Sequence, residues 1–229
     1  EKIRKIRCND HGVEIVTKHI SQKKKKGILG INICSNKKKK KKEDDFVYCL
    51  SHLYKYSDYI TINISSPNTE GLRNFHEKNL MDQLLEKLSQ LKKKKNINKP
   101  IVIKLSPDIN EKEISMIIEL IFKYKIDGII ISNTSDTNRE KLVDNKKSEE
   151  GGLSGLPIKD LSTQMIKKFY KEVKKKIPII GVGGVDSGLS AFEKIIAGAT
   201  AVQLYTGMVY KGPGIVKEIK KDLISTLKK

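Results

Sequence analysis

Arginine is scarce in this 229-residue chain: Arg4, Arg7, Arg73 and Arg139 are four of 46 basic residues, and 46 minus 4 leaves 42 lysines. Against 27 acidic residues the net charge is +19. A basic footprint is the first requirement of a nucleic-acid binder, but lysine lacks the planar fork that reads base edges or grips phosphate bidentately. The surplus therefore argues for solvated surface and against a specific nucleic-acid partner. Much of it sits in homopolymeric runs, Lys23 to Lys26, Lys37 to Lys42, Lys92 to Lys95 and Lys174 to Lys176.

Other absences narrow the field further. Cys8, Cys34 and Cys49 have no metal-ligand spacing and leave one over after any pairing, so buried or half-buried thiols in a reducing compartment are expected. Glycine (16) and proline (6) are too few for collagen-like repetition, and 38% hydrophobic residues argue against wholesale disorder. No apolar run approaches the roughly 18 residues of a membrane span, and no signal-peptide pattern opens the chain. Neither the dinucleotide fingerprint nor a phosphate loop ending in Gly-Lys-Ser/Thr occurs. His11, His19, His52 and His76 form no close ligand pair, and no Asp/Glu/His set has metal spacing, so no metal is expected.

What is present is an alternation of short β-rich runs with amphipathic helical ones. Strands are predicted over Leu29 to Ile33, Tyr59 to Ile64, Ile101 to Leu105, Gly128 to Ser132, Pro178 to Val182 and Ala201 to Tyr205. Helical patterns fall near Asp44 to Tyr56, Leu80 to Leu91, Glu111 to Tyr124, Ser162 to Val173, Gly188 to Ile196 and Gly214 to Leu227. Ile114, Ile117, Ile118 and Ile121 form one apolar stripe at helical spacing, suited to lie on a sheet. Runs such as Ile101-Val102-Ile103 and Ile129-Ile130-Ile131 are apolar without alternation, as parallel strands covered on both faces are.

Six βα units with no internal boundary fit either an open doubly wound sheet or part of an eightfold barrel. Polar residues or glycines stand at or near the C-terminal ends of all six strands: Asn32, Asn63, Lys104, Asn133, Gly183 with Gly184, and Tyr205 with Thr206. A barrel gathers all such ends around one mouth, whereas an open sheet uses mainly those at its switch point. The expectation is a (β/α)8 TIM barrel to which residues 1–229 contribute about six C-terminal units, the first two lying ahead of this sequence. Lysine-rich, flexible loops are expected near 37–45 and 138–150.

The chemistry-bearing residues cluster at those strand ends. Asn63, Asn68 and Asn133 offer donors and acceptors to a planar, amide-rich ring, and Ser66 begins the loop that would cover it. Lys104, flanked by Ile103 and Leu105, can enter the mouth with its stem buried. Gly151 to Gly155, Gly181 to Val185 and Gln203 to Gly207 supply open backbone N–H groups of the kind that cradle phosphate, in part after the strands that would be seventh and eighth.

Taken together and in order, Asn63 to Arg73, Lys104 to Asp108, Asp127 to Thr134, Gly151 to Gly155, Pro178 to Gly184 and Val202 to Thr206 resemble the dihydroorotate dehydrogenases, in their membrane-associated, quinone-using class. The resemblance covers most of the chain. It implies an FMN enzyme of pyrimidine biosynthesis that oxidises dihydroorotate to orotate and is reoxidised by a quinone. By the same resemblance Ser66 is the catalytic base, while Asn63, Asn68, Asn133 and Thr134 bind the substrate ring. Asn32, Asn63 and Lys104 contact the flavin ring, Ser132 and Gly155 line the flavin, and Gly183, Gly184, Tyr205 and Thr206 hold its phosphate.

It further implies a monomer, attachment to the mitochondrial inner membrane through an N-terminal region outside this sequence, and a quinone site there. The family's opening Ala-Gly-Phe-Asp-Lys type segment, with its substrate lysine, is not present, and Cys34 stands where a glycine is more frequent. Two alternatives remain: a phosphate-handling barrel lyase or isomerase, which usually needs a carboxylate or lysine acid–base pair, and a lysine-rich nucleic-acid-binding module.

Overall fold

The computed structural model describes residues 2–4, 12–22, 27–35, 41–137, 139–140, 142–143 and 145–228. Six strands form one sheet: β2 (Gly30–Ile33), β3 (Tyr59–Asn63), β4 (Ile101–Leu105), β5 (Gly128–Ile131), β7 (Ile179–Val182) and β8 (Ala201–Gln203). A short β1 (Lys2–Arg4) pairs antiparallel with β6 (Gly152–Ser154), which lies in the connection leaving β5. The helices are α1 (Gly12–Ser21), α2 (Lys42–Leu53), α3 (Lys78–Lys94), α4 (Glu111–Lys123), α5 (Lys159–Val173), α6 (Gly188–Ile196), α7 (Thr206–Lys211) and α8 (Ile215–Leu227).

The sheet order is β2-β3-β4-β5-β7-β8, every neighbour parallel and none out of sequence. A doubly wound sheet reverses direction at a switch point and carries helices on both faces. Here there is no reversal, so right-handed crossovers put successive helices on one face. The apolar residues Ile31, Ile33, Ile60, Ile62, Ile101, Ile103, Leu105, Ile129, Ile131 and Ile179 all join one core cluster with residues of α2 to α5. The alternate positions, Asn32, Thr61, Asn63, Val102, Lys104 and Ile130, are outside that cluster and line the opposite, concave face.

A single contact shows how tightly the sheet curls. The Gln203 side-chain amide donates to the Tyr59 hydroxyl at 3.5 Å, joining β8 to β3. In a flat sheet those strands lie four spacings apart, about 19 Å at about 4.8 Å per strand, too far for these side chains. The chain is thus a curled half-barrel, as the barrel expectation requires.

Element ends follow local chemistry. Asn110 and Glu113 form a reciprocal cap at the start of α4, with Glu113 N donating to Asn110 Oδ1 at 3.0 Å and Asn110 N to Glu113 Oε2 at 2.7 Å. Ser187 and Ser190 do the same for α6. The runs Lys92 to Lys95 and Lys174 to Lys176 fall at the C-terminal ends of α3 and α5, where cations complement the helix dipole.

Several sequence expectations shift. The predicted strand Ala201 to Tyr205 ends at Gln203, and Thr206 instead opens α7. Helices α1 and α7 and the β1–β6 pair were not anticipated. Of the loop expected at 37–45, residues 42–45 form the first turn of α2, whose Glu43, Asp44 and Asp45 favour a helix N-terminus; 37–40 lie outside the described residues. In the stretch 138–150, a 3-10 turn spans Asn145–Ser148, and the Arg139 guanidinium donates to the carbonyls of Lys147, Glu149 and Gly151. The Arg139 side chain thus ties itself to the backbone of 147–151. Cys34 and Cys49 are half-buried, and Cys8 lies outside the described residues.

Candidate active site

Strand register assembles the first part of the site. Asn63, last residue of β3, is the parallel partner of Lys104 in β4, so both face the concave side next to each other. Asn133 follows β5, and its Nδ2 donates to Asn63 Oδ1 at 3.1 Å and to Ser65 Oγ at 3.1 Å. Ser65 Oγ in turn donates to Asn63 Oδ1 at 3.1 Å, and Thr134 N donates to Asn133 Oδ1 at 2.8 Å. The two asparagines therefore fix each other's orientation. Ser65 completes the group and was passed over in the sequence, although two-residue alternation from Asn63 would have put it on the same side.

Ser66 is half-buried in the loop that follows, and its Oγ accepts from Asn68 N at 3.3 Å. The bond makes a serine turn, leaving the hydroxyl proton free to be directed elsewhere. Asn68 is likewise half-buried.

Arg73 ties this loop to two others. Its Nη1 lies 3.0 Å from Asp108 Oδ2 and 2.6 Å from Asp136 Oδ1, its Nη2 donates to Thr134 O at 3.0 Å, and its Nε to Ser65 O at 3.4 Å. Asp108 also accepts from Ser135 Oγ at 2.6 Å and Thr137 Oγ1 at 3.0 Å. One guanidinium thus binds the connections leaving β3, β4 and β5. Burial works to raise the Asp136 carboxyl, but hydrogen bonding with Asp108 and the Arg73 charge outweigh it and hold the group below its ordinary value. Nearby, burial and then the Arg73 charge push His76 down to about 4, so the imidazole is neutral at pH 7.

Beside these groups opens a cavity of about 660 Å³, within the size range that takes cofactors. Lys104, Ser132, Asn133 and Thr134 line it from β4 and β5; Gly183, Gly184, Tyr205 and Thr206 line it from β7 and β8, with Gly155 beside Thr206. Thr206 Oγ1 donates to Ser154 Oγ at 3.1 Å, joining α7 to β6 at the wall. Of the sequence candidates, Asn63, Ser66 and Asn68 are not among the lining residues, and Asn63 reaches them through its bond with Asn133. Asn32 is exposed on the edge strand β2, paired in register with Thr61, one step short of Asn63.

The glycine lining is shaped by backbone that other residues resist. Gly184 has φ +72°, and a Cβ there would come within 2.5 Å of Lys159 Cβ. The turn presses directly on the start of α5, with open backbone on its cavity side. A cavity lined both by amide and lysine side chains and by bare glycine backbone suits a flat, polar-edged ring carrying an anionic tail, and in this sense the residues fit FMN. Among the described residues no group of three or more His, Cys, Asp or Glu can hold a metal.

Comparison with known proteins gives a consistent picture. The family model for dihydroorotate dehydrogenase matches residues 2–227. A dihydroorotate dehydrogenase (quinone) from Idiomarina loihiensis is 42% identical over 227 residues, covering 96% of this chain and 68% of that protein. One of the same description from Buchnera aphidicola is 42% identical over 229 residues, with the same coverage of 96% and 68%. Among solved structures, ligand-free type DHODH from Eimeria tenella superposes with a TM-score of 0.88 at 30% identity, over 95% of this chain and 67% of that one.

Proposed function

The chain belongs to the dihydroorotate dehydrogenase family, in its quinone-dependent class, and from that premise we propose how its own residues carry out the oxidation of dihydroorotate to orotate. Asn63 and Asn133, locked together at 3.1 Å, bind the amide edges of the substrate ring, with Asn68 and Thr134 completing the set. FMN, when bound, supplies the hydride acceptor, since no side chain can take a hydride.

Ser66 takes the proton released from the adjacent ring carbon. A neutral serine is a weak base, so its hydroxyl acts with a hydrogen-bonded water or polar path that carries the proton away. The Asn68 N–H bond at 3.3 Å fixes the Oγ position in advance. Lys104 lines the cavity, where its positive charge stabilises negative charge gathering on the ring beside it. Gly155, Gly183, Gly184, Tyr205 and Thr206 hold the phosphate, Ser132 lines the flavin beside Lys104 and Asn133, and Asn32 contributes from the β2 edge.

The observation that carries this reading is the single cavity shared by Asn133 and Lys104 with Gly183 and Gly184. The test is anaerobic: full-length protein should copurify with FMN, lose its yellow colour on adding dihydroorotate, and regain it on adding a quinone. Folded protein that carries no flavin, or flavin that dihydroorotate leaves oxidised, would refute the assignment.

No helix among the described residues is long and apolar enough to cross a membrane. The quinone-dependent class points to membrane association, and the finer compartment we propose is the mitochondrial inner membrane, with the protein acting as a monomer. Cell fractionation and sedimentation of the purified enzyme test these two points.

A further inference from the structure

Beneath the glycine lining lies a charge that neither substrate nor flavin ring would touch. Lys194, on α6, is fully buried. Its Nζ donates to Ser162 Oγ at 2.5 Å, Thr163 Oγ1 at 2.6 Å and Lys159 O at 2.8 Å, which uses all three of its N–H bonds. Every one of these acceptors is a neutral oxygen. The nearby carboxylate of Glu193 is engaged by Lys159 Nζ at 3.0 Å, and Asp160, 3.9 Å from the same Nζ, has an 86% exposed side chain.

A buried cation held only by neutral oxygens is costly unless an anion is close. The site makes it costlier, because Lys159 to Thr163 form the first turn of α5, the positive end of that helix. The cavity supplies a place for the missing anion. Ser162 Oγ, having accepted from Lys194, lies 3.1 Å from the carbonyl of Gly183 and can donate to it. In a trans peptide the following N–H points opposite to that carbonyl, so the same bond aims Gly184 N–H away from Ser162. Gly183 and Gly184 both line the cavity.

We propose that Lys194 is a positioning residue for the phosphate of the flavin nucleotide, setting the Gly183–Gly184 turn through Ser162 and placing positive charge behind it. The inference rests on the FMN reading above and adds a residue that lies outside the cavity wall. Binding of a dianionic tail would then complete an electrostatic unit that the protein alone leaves open.

Full-length protein freed of flavin can be titrated with FMN and with riboflavin, following flavin fluorescence. Lys194→Met should weaken FMN binding about tenfold or more while changing riboflavin binding less than about twofold. Equal weakening of both would show a merely structural role, and no change in either would remove Lys194 from phosphate binding; both overturn the proposal.

Unaltered protein gives a second test that needs no variant to fold. Burial lowers the Lys194 ammonium to about 8, with Glu193 favouring the charge, Lys159 opposing it and Asp160 favouring it. The preference for FMN over riboflavin should therefore fall as pH rises through about 8, and a flat preference would overturn the proposal. Unaltered protein that binds neither flavin would overturn the FMN reading itself, and this inference with it.

Discussion

Removing the Arg73 guanidinium tests whether three loops act as one unit. Arg73→Met keeps the aliphatic stem and deletes four contacts: Asp108 at 3.0 Å, Asp136 at 2.6 Å, Thr134 O at 3.0 Å and Ser65 O at 3.4 Å. They differ in weight. The Asp108 side chain is 12% exposed, so its charge-assisted bond is worth about 1.5–3 kcal/mol. Asp136 is 47% exposed and adds at most what a surface pair does, under about 1 kcal/mol. The two backbone carbonyls contribute roughly 1–2 kcal/mol together.

Asp108 keeps its Ser135 and Thr137 hydroxyls, so its carboxylate is not stranded and the loss stops at about 3–5 kcal/mol. Chemical denaturation of the full-length holoenzyme reads this directly. Anaerobic stopped-flow should also show dihydroorotate-dependent flavin reduction slowed about tenfold or more, because Ser65 and Thr134 flank the proposed base and ring ligands. Arg73→Lys should recover less than about half of either effect, since one ammonium cannot replace the fork. A stability loss below about 1 kcal/mol with unchanged reduction would refute the reasoning.

Three further outcomes follow from the same geometry. Ser66→Ala should slow flavin reduction by about a hundredfold or more while FMN affinity stays within about twofold, and unchanged reduction would take Ser66 out of the base role. His76, held at about 4 against an unfolded value near 6.5, is neutral in the native state at pH 7. Stability present above pH 6.5 is then lost as pH falls through about 4, by about 3 kcal/mol in total. His76→Gln should flatten that part of the acid denaturation curve; an unaltered slope would show that another group governs it. Gly184→Ala, with φ +72° and Lys159 Cβ 2.5 Å from the new methyl, should cost about 1–3 kcal/mol and weaken FMN binding, as fluorescence titration will show.

The sheet was legible because its strands are short apolar runs bounded by turn residues, and β4 matches its predicted span, Ile101–Leu105, at both ends. The stripe Ile114, Ile117, Ile118 and Ile121 identified α4 in the same way, and all four are buried. Helix α7 escaped because its six residues give less than two turns of pattern, and Gln203 to Gly207 read equally well as a strand running into a glycine loop. Helix α1 carried a weak signal in Val13, Val16 and Ile20, which pack only partly against the core.

In the site, Asn63, Lys104 and Asn133 were legible because each stands at or next to the C-terminal end of a strand. Arg73 carries no local signal of its own beyond closing the Asn63 to Arg73 motif. Its role comes from partners 35 and 61 residues away, Asp108 and Thr134, that no local spacing reveals. Lys194 hid behind the habit of reading lysine as surface, although it falls three residues after buried Ala191 and so on the inward side of α6.

The two lysine runs that close α3 and α5 stand where the polypeptide re-enters the sheet, just ahead of β4 and β7. The polar mouth is built at the far ends of those same strands. These two runs are thus kept a strand's length of packed isoleucine away from the site, and the lysines that stand on the mouth side are others, among them Lys42, which donates to the Glu70 carbonyl, and Lys211 at the cavity wall.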